Sequence, residues 1–233
     1  FGDTLIRQIP QAIIHYIDVP GNGDYSGQTS PTTMTEYSQH CQTVLSKLTD
    51  RPVHIVSLSM GAMIALEWVQ RAPKNILSLC LINTSVANLT PFYNRINIAT
   101  LLALITKLLV TSSAEKIEKS VFRTTCRTWK EHPDVLKDWV AFHKENPSKV
   151  TNIFRQLKAA SRFKLENKID TPSLVINGKQ DALVNPEASK DLSRYLNCDL
   201  IRHPNAGHDL PLDAPDWLAQ QIGHFVTKLS SNC

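Results

Sequence analysis

Three residues able to do chemistry together stand far apart in the chain: Ser59, Asp181 and His208. A serine hydroxyl becomes a useful nucleophile when an imidazole takes its proton and a carboxylate holds that imidazole in one tautomer. Ser59 lies in Val53-His54-Ile55-Val56-Ser57-Leu58-Ser59-Met60-Gly61, an apolar, β-branched run that stops at a serine. The helix-forming stretch Ala62-Met63-Ile64-Ala65-Leu66-Glu67-Trp68 follows. Strand, sharp turn and helix lift a central hydroxyl clear of a parallel sheet, and the tight turn demands small residues two places either side. Gly61 meets that demand fully. Ser57 meets it approximately, so the pattern is S-x-S-x-G rather than the commoner G-x-S-x-G.

Asp181 and His208 each stand just past a predicted strand end. Ser173–Asn177 runs into Gly178-Lys179-Gln180-Asp181, and a short strand near Leu200 runs into His203-Pro204-Asn205-Ala206-Gly207-His208. The chain order serine, acid, histidine suits loops at one edge of a parallel sheet. A buried strand end with two serines is the bland alternative at Ser59, and the joint placement of the acid and the histidine weighs against it. The competitors have other readings. Ser57 lies within the strand, His203 precedes a proline as a packing or surface residue, and Asp191 sits mid-helix. An acyl-transfer serine also needs donors aimed at the developing oxyanion. The backbone N–H of Met60, first in the elbow helix, is one, assisted by the helix dipole.

The elements that must position these residues alternate. Asp3 to Gln11 reads as the end of a helix, and Ala12 to Asp18 as a short buried strand entering the turn Val19-Pro20-Gly21-Asn22-Gly23-Asp24. A helix from about Thr33 to Leu48 precedes the Val53 strand, read as central to the sheet. Ile76 to Ile82 is the next apolar run of strand length. Near-continuous apolar runs alternating with amphipathic helices indicate a parallel sheet covered on both faces. Between about Ala87 and Asn167 only helical patterns occur, near Ile98–Val110, Ala114–Trp129, Val135–Lys144 and Val150–Arg162. The alternation then resumes with Ser173–Asn177, a helix from Pro186 to Leu196, a strand at Asp199 to Arg202 and a closing helix from about Ala214 to Leu229.

Composition sets the bounds. A chain of 233 residues, 42% apolar and 20% charged, can bury one full core. Cys41, Cys80, Cys126, Cys198 and Cys233 are odd in number and contain no C-x-x-C pair. That argues against a disulfide framework or zinc site and leads us to expect a reducing cytoplasm. No cofactor or metal and no nucleic-acid partner is called for. Ile98 to Val110 is too short for a membrane span. The net charge of +4 is uneven, with 15 Lys+Arg against 7 Asp+Glu between Val86 and Lys168. Lys116, Lys119, Arg123, Arg127 and Lys130 recur at helical spacing and are expected to form one stripe, as are Arg155, Lys158 and Arg162. A basic surface of this kind suits an acidic partner or is simply solvated.

The chain resembles an α/β-hydrolase-fold serine esterase. The landmarks are S-x-S-x-G at Ser57 to Gly61, D-x-P-G-x-G at Asp18 to Gly23, G-x-x-D at Gly178 to Asp181 and A-G-H at Ala206 to His208. The resemblance implies a mostly parallel sheet flanked by helices, with residues 1–86 and 169–233 as the hydrolase core and residues 87–168 as an inserted helical cap. It implies Ser59, Asp181 and His208 as the catalytic triad. The family's first strands and its H-G-x oxyanion loop, source of the second donor, have no counterpart here. A few dozen further N-terminal residues are therefore expected in the native polypeptide. A serine nucleophile argues against the family's dehalogenases and epoxide hydrolases.

The cap resembles that of pimeloyl-acyl-carrier-protein methyl ester esterases of biotin synthesis. The resemblance implies acyl carrier protein as a partner, met by Arg123, Arg127, Arg155, Lys158 and Arg162. It also implies the carrier-bound methyl ester as substrate. Leu101, Leu102, Leu104, Ile105, Leu108 and Leu109, by their apolar character and place in the cap, either line a slot for its acyl chain or form the core of the cap. A generic short-chain carboxylesterase, an acyl thioesterase and a hydrolase-fold binding protein without turnover stay open beside it.

Overall fold

In a computed structural model, residues 1–230 are described. Helix α1 (Gly2–Gln8) is followed by an extended segment, a single 3-10 turn (Gly23–Tyr25) and helix α2 (Met34–Leu48). Next come strand β1 (Val53–Leu58), helix α3 (Met60–Arg71) and strand β2 (Ile76–Ile82). Five helices then run without a strand: α4 (Phe92–Arg95), α5 (Ile98–Val110), α6 (Ala114–Thr125), α7 (Pro133–Glu145) and α8 (Val150–Arg162). Strand β3 (Ser173–Gly178), helix α9 (Glu187–Leu196) and strand β4 (Asp199–His203) resume the alternation. Helices α10 (Leu210–Asp213) and α11 (Pro215–Ser230) close the described chain.

The four strands are parallel and lie in chain order, β1-β2-β3-β4. Their side chains alternate between two cores. Leu79, Leu81 and Val175 face helices α2, α3 and α9, burying Tyr37, Leu66 and Leu192. Cys80, Ile82, Leu174 and Ile176 face α1 and α11, burying Leu5, Leu218 and Ile222. Coverage of both faces is why β2 reads as a near-continuous apolar run.

Three expectations need correction. The segment from Ala12 to Asp18 is extended but belongs to no strand among the described residues, and Ile13 and Tyr16 are each 75% exposed. Ile14, Ile17 and Val19 do pack on the cores. An apolar pattern can press a segment onto a core, but a strand also needs a ladder partner. Strand β1 is an edge of the described sheet, not its centre, and all six of its residues are only half-buried. Helix α6 ends at Thr125, not Trp129, because its last turn is drawn away. The Thr125 carbonyl accepts the Asp209 N–H, and Asp213 Oδ1 accepts the N–H groups of Arg127 and Thr128.

Candidate active site

The turn between β1 and α3 puts Ser59 at φ 53°, ψ −116°, a left-handed conformation that a non-glycine residue holds only when its surroundings impose it. The Ser59 N–H donates to the Ile82 carbonyl at 2.8 Å, and Thr84 Oγ1 donates to the Ser59 carbonyl at 2.8 Å. The elbow is thus clamped from both sides by the end of β2. A Cβ on Gly61 would lie 3.8 Å from the Ser57 Cβ, so the two small residues face each other across the turn. The Ser57 hydroxyl is turned back to the Cys80 carbonyl at 3.4 Å, away from any substrate.

Asp181 and His208 meet. His208 Nδ1 lies 2.7 Å from Asp181 Oδ2, with side chains only 8% and 1% exposed. Asp181 Oδ1 accepts the backbone N–H groups of Leu183 at 2.8 Å and Val184 at 2.9 Å. A carboxylate held this way only accepts, so Nδ1 carries the proton and Nε2 is left as the basic nitrogen. Among the described residues the Ser59 hydroxyl makes no hydrogen bond, so the serine–histidine link is open in this structure. Such links often close only around bound substrate.

The three loops are tied together by a residue that the sequence did not advertise. Asn83, 1% exposed at the end of β2, donates Nδ2 to the carbonyls of Gly207 at 3.1 Å and His208 at 2.7 Å. Its Oδ1 accepts the Gly178 N–H at 2.9 Å. Every polar atom of that amide works, and each bond joins β2 to the acid loop or the histidine loop. Those two loops also touch directly, with the Gln180 N–H donating to the Ala206 carbonyl at 3.0 Å. A Cβ on Gly178 would sit 2.3 Å from that same carbonyl oxygen, so only glycine permits the approach. His203 serves this loop as a packing residue. Its Nδ1 accepts the Ala206 N–H at 2.9 Å and its ring meets Trp217 edge-on.

Asp213 is a second unadvertised anchor. Its carboxylate accepts from Cys126 Sγ, the Arg127 and Thr128 N–H groups, Thr128 Oγ1 and the Gly207 N–H. Burial alone would raise its pKa, but these donors outweigh burial and hold the carboxyl below its usual range. Burial, aided by Asp213, pushes the Cys126 thiol up to about 12, so it stays a donor. The end of α6 is thereby fastened to the histidine loop. Helix α8 is fastened elsewhere. Asn152 accepts the Ser30 N–H and donates to the Gln28 carbonyl, both at 2.9 Å.

Ser59 and Met60 line a cavity of about 1110 Å³ whose other walls come mainly from α5, α6 and α8, among them Leu101, Leu104, Ile105 and Leu108. Leu109 also lines it, whereas Leu102 points outward. Met60 opens α3, where the first N–H groups have no partner within the helix. An oxygen beside Ser59 can therefore be met by the Met60 N–H.

The basic residues of the expected docking surface are dispersed. Arg127 and Lys130 lie beyond the end of α6, so the single stripe through them does not form. Arg127 Nε donates to the Gln180 carbonyl at 2.9 Å, and the Arg123 guanidinium stacks over the Trp129 ring at 4.5 Å. Arg155 Nε donates to the Ser30 carbonyl. Lys158 and Arg162 are exposed on α8, and Lys158 borders the cavity. Cys41, Cys80, Cys126 and Cys198 are free thiols, while Cys233 lies outside the described residues.

Residues 5–215 match the sequence family described as alpha/beta hydrolase fold. The chain is 24% identical over 192 residues to the monoacylglycerol lipase ABHD6 of Homo sapiens, covering 78% of this chain and 57% of that protein. It therefore spans little more than half the length of that relative. Among solved structures it is similar to an alpha/beta hydrolase enzyme from a Medee basin deep-sea metagenome library, with TM-score 0.74 and 21% identity over 97% of this chain and 83% of the other. An enol-lactonase from Burkholderia xenovorans LB400 aligns with TM-score 0.73 and 18% identity over 90% of this chain and 79% of the other. At such identities the two structures bear on the fold alone.

Proposed function

Since the chain belongs to the alpha/beta hydrolase-fold family, we propose that it is a serine carboxylesterase for esters with a long apolar chain. The observation that carries this reading is the buried Asp181–His208 pair, which fixes Nε2 as a base in a loop cross-linked to the Ser59 elbow. His208 Nε2 takes the Ser59 proton as Oγ attacks the ester carbonyl. The Met60 N–H meets the developing oxyanion. The intermediate collapses, the alcohol leaves with the proton from Nε2, and an acyl-enzyme remains. Water then repeats the sequence, with His208 again as base, and releases the acid. The large, mostly apolar cavity beside Ser59 supports a long-chain substrate, because burying apolar surface there favours binding. The curated relative is named a monoacylglycerol lipase, which fits this substrate class. Four free thiols among the described residues support a cytoplasmic setting as part of the same reading.

Turnover of p-nitrophenyl esters tests the proposal. Wild type should hydrolyse the butyrate and prefer the octanoate, and Ser59→Ala should lose most of the rate. Equal low rates in the two proteins would leave a binding protein without turnover as the better account.

A second reading keeps the methyl ester of pimeloyl-acyl-carrier-protein as substrate. It is favoured by Lys158 and Arg162, exposed on α8, with Lys158 at the cavity. In that case Lys158→Glu with Arg162→Glu lowers cleavage of the carrier-bound ester much more than that of the free ester. An equal effect on both substrates, or none, removes the carrier from the account.

A further inference from the structure

Helix α5 has apolar residues on two adjoining faces. Leu101, Leu104, Ile105 and Leu108 turn toward the cavity. Ile98, Leu102 and Leu109 fall within about 40° of one another around the helix and are exposed, and Val110, also exposed, lies about 80–120° further round. The exposed face of a surface helix is ordinarily charged. Here Leu102, Leu109 and Val110 are 56%, 63% and 75% exposed, and the exposed positions along the helix carry no charge. Phe92 and Tyr93 of α4 extend the surface and are exposed too. Together the six side chains expose roughly 600 Å² of uncharged surface, comparable with the largest patch of a monomer.

We propose that this α4–α5 face docks on a lipid surface bearing anionic head groups. Three features favour that occupant. The first is charge. Between Val86 and Ala114 the chain has no acidic residue, while Lys107 lies about 60° round α5 from Val110, on the far side from Ile98, Leu102 and Leu109, and Lys158 stands exposed at the cavity. Basic residues beside an apolar helical face suit anionic lipid. The second is continuity. Phe92, Leu109 and Val110 belong both to the exposed face and to the cavity wall, so an acyl chain can pass from lipid to the Ser59 cavity without crossing water. This second argument rests on the ester-hydrolase reading, whereas the face itself does not. The third is area. A stable pairing with a second copy of the chain typically buries about 800 Å² per partner, and about 600 Å² only at the lower end, so the face alone is marginal for a dimer. The helix lies on the surface rather than through it, since no described helix is long and apolar enough to cross a membrane.

Flotation with phosphatidylcholine vesicles containing about one fifth phosphatidylglycerol tests the proposal. The Ser59→Ala protein is used, so binding is read without turnover. It should float, and it should float less with phosphatidylcholine alone. Tyr93→Ser, Ile98→Ser and Leu102→Ser together, at exposed positions outside the cavity wall, should lower the bound fraction about tenfold or more. Serine is uncharged, so the loss is not repulsion. In the background with Ser59 intact, the triple variant should keep wild-type turnover of soluble p-nitrophenyl butyrate, which shows that it folds. Failure of flotation, or equal flotation of the variant and its parent, overturns the proposal. So does a dimer that the triple substitution converts to monomer, or a loss confined to carrier-bound esters. Absence of soluble-ester turnover in wild type refutes the esterase reading instead, and the flotation result stands apart from it.

Discussion

Changing Asp181 to asparagine should abolish catalysis while leaving the fold intact, and the surroundings of this carboxylate say why. Oδ1 accepts two backbone N–H groups, from Leu183 and Val184, in a site where the side chain is 1% exposed. In Asp181→Asn the amide oxygen must take that place. The opposite orientation would set an NH₂ against both donors, at about 1–3 kcal/mol for each group left unpaired. The NH₂ therefore faces His208 Nδ1, which must become an acceptor. The ring proton moves to Nε2, the nitrogen that has to receive the Ser59 proton. A triad given the wrong tautomer in this way loses about 10⁴ in kcat, or ~5.5 kcal/mol. KM should change little, because Asp181 is not part of the cavity wall. The melting temperature should stay within about 2 °C, since the hydrogen bonds are conserved. Steady-state kinetics on p-nitrophenyl octanoate together with a thermal melt provide the check. A loss below about tenfold in kcat, with the melt unchanged, would show that the carboxylate does not set the tautomer and would refute the reasoning.

Two further substitutions probe the framework. Gly178→Ala should lower both kcat and the melting temperature, because its Cβ would come within 2.3 Å of the Ala206 carbonyl oxygen and force the acid and histidine loops apart. A wild-type rate in that variant would mean the loops separate without harm. Asp213 bears on acid stability. Its carboxyl is held below the usual value by the Cys126, Thr128 and Gly207 donors, which outweigh burial. A depressed carboxylate contributes stability above its unfolded pKa of about 3.9 and loses that contribution as pH falls through its lower folded value. Melts of Asp213→Asn, which cannot titrate there, should be lower than wild type near neutrality and should fall less steeply below about pH 4. Parallel acid limbs would remove Asp213 from the account.

The sequence was most informative where structure is local. The ends of α5 and α8 fall where periodicity put them. Strand β2, covered on both faces, was legible as a near-continuous apolar run. That Asp181 and His208 would be brought together could be anticipated because each follows a strand of a regular alternation. What could not be read depends on distant partners. Ala12 to Asp18 has strand chemistry but no ladder partner among the described residues. The end of α6 is set by Asp209 and Asp213, more than 80 residues downstream. Asn83 has one local clue, a polar residue closing an apolar strand, but its three bonds reach residues from Gly178 to His208. The basic spacing on α6 and α8 was visible, yet whether each charge is free or already bonded is a tertiary matter, as Arg155 and Arg127 show.

The central claim is that Ser59 is the nucleophile and that Asp181 and His208 activate it. Labelling with a fluorophosphonate, followed by intact mass and peptide mapping, tests it most directly. One phosphonyl group per chain should appear on Ser59, none in Ser59→Ala, and the reaction should slow by orders of magnitude in Asp181→Asn. Labelling at Ser57, or label on Ser59 at a rate indifferent to Asp181 and His208, would contradict it.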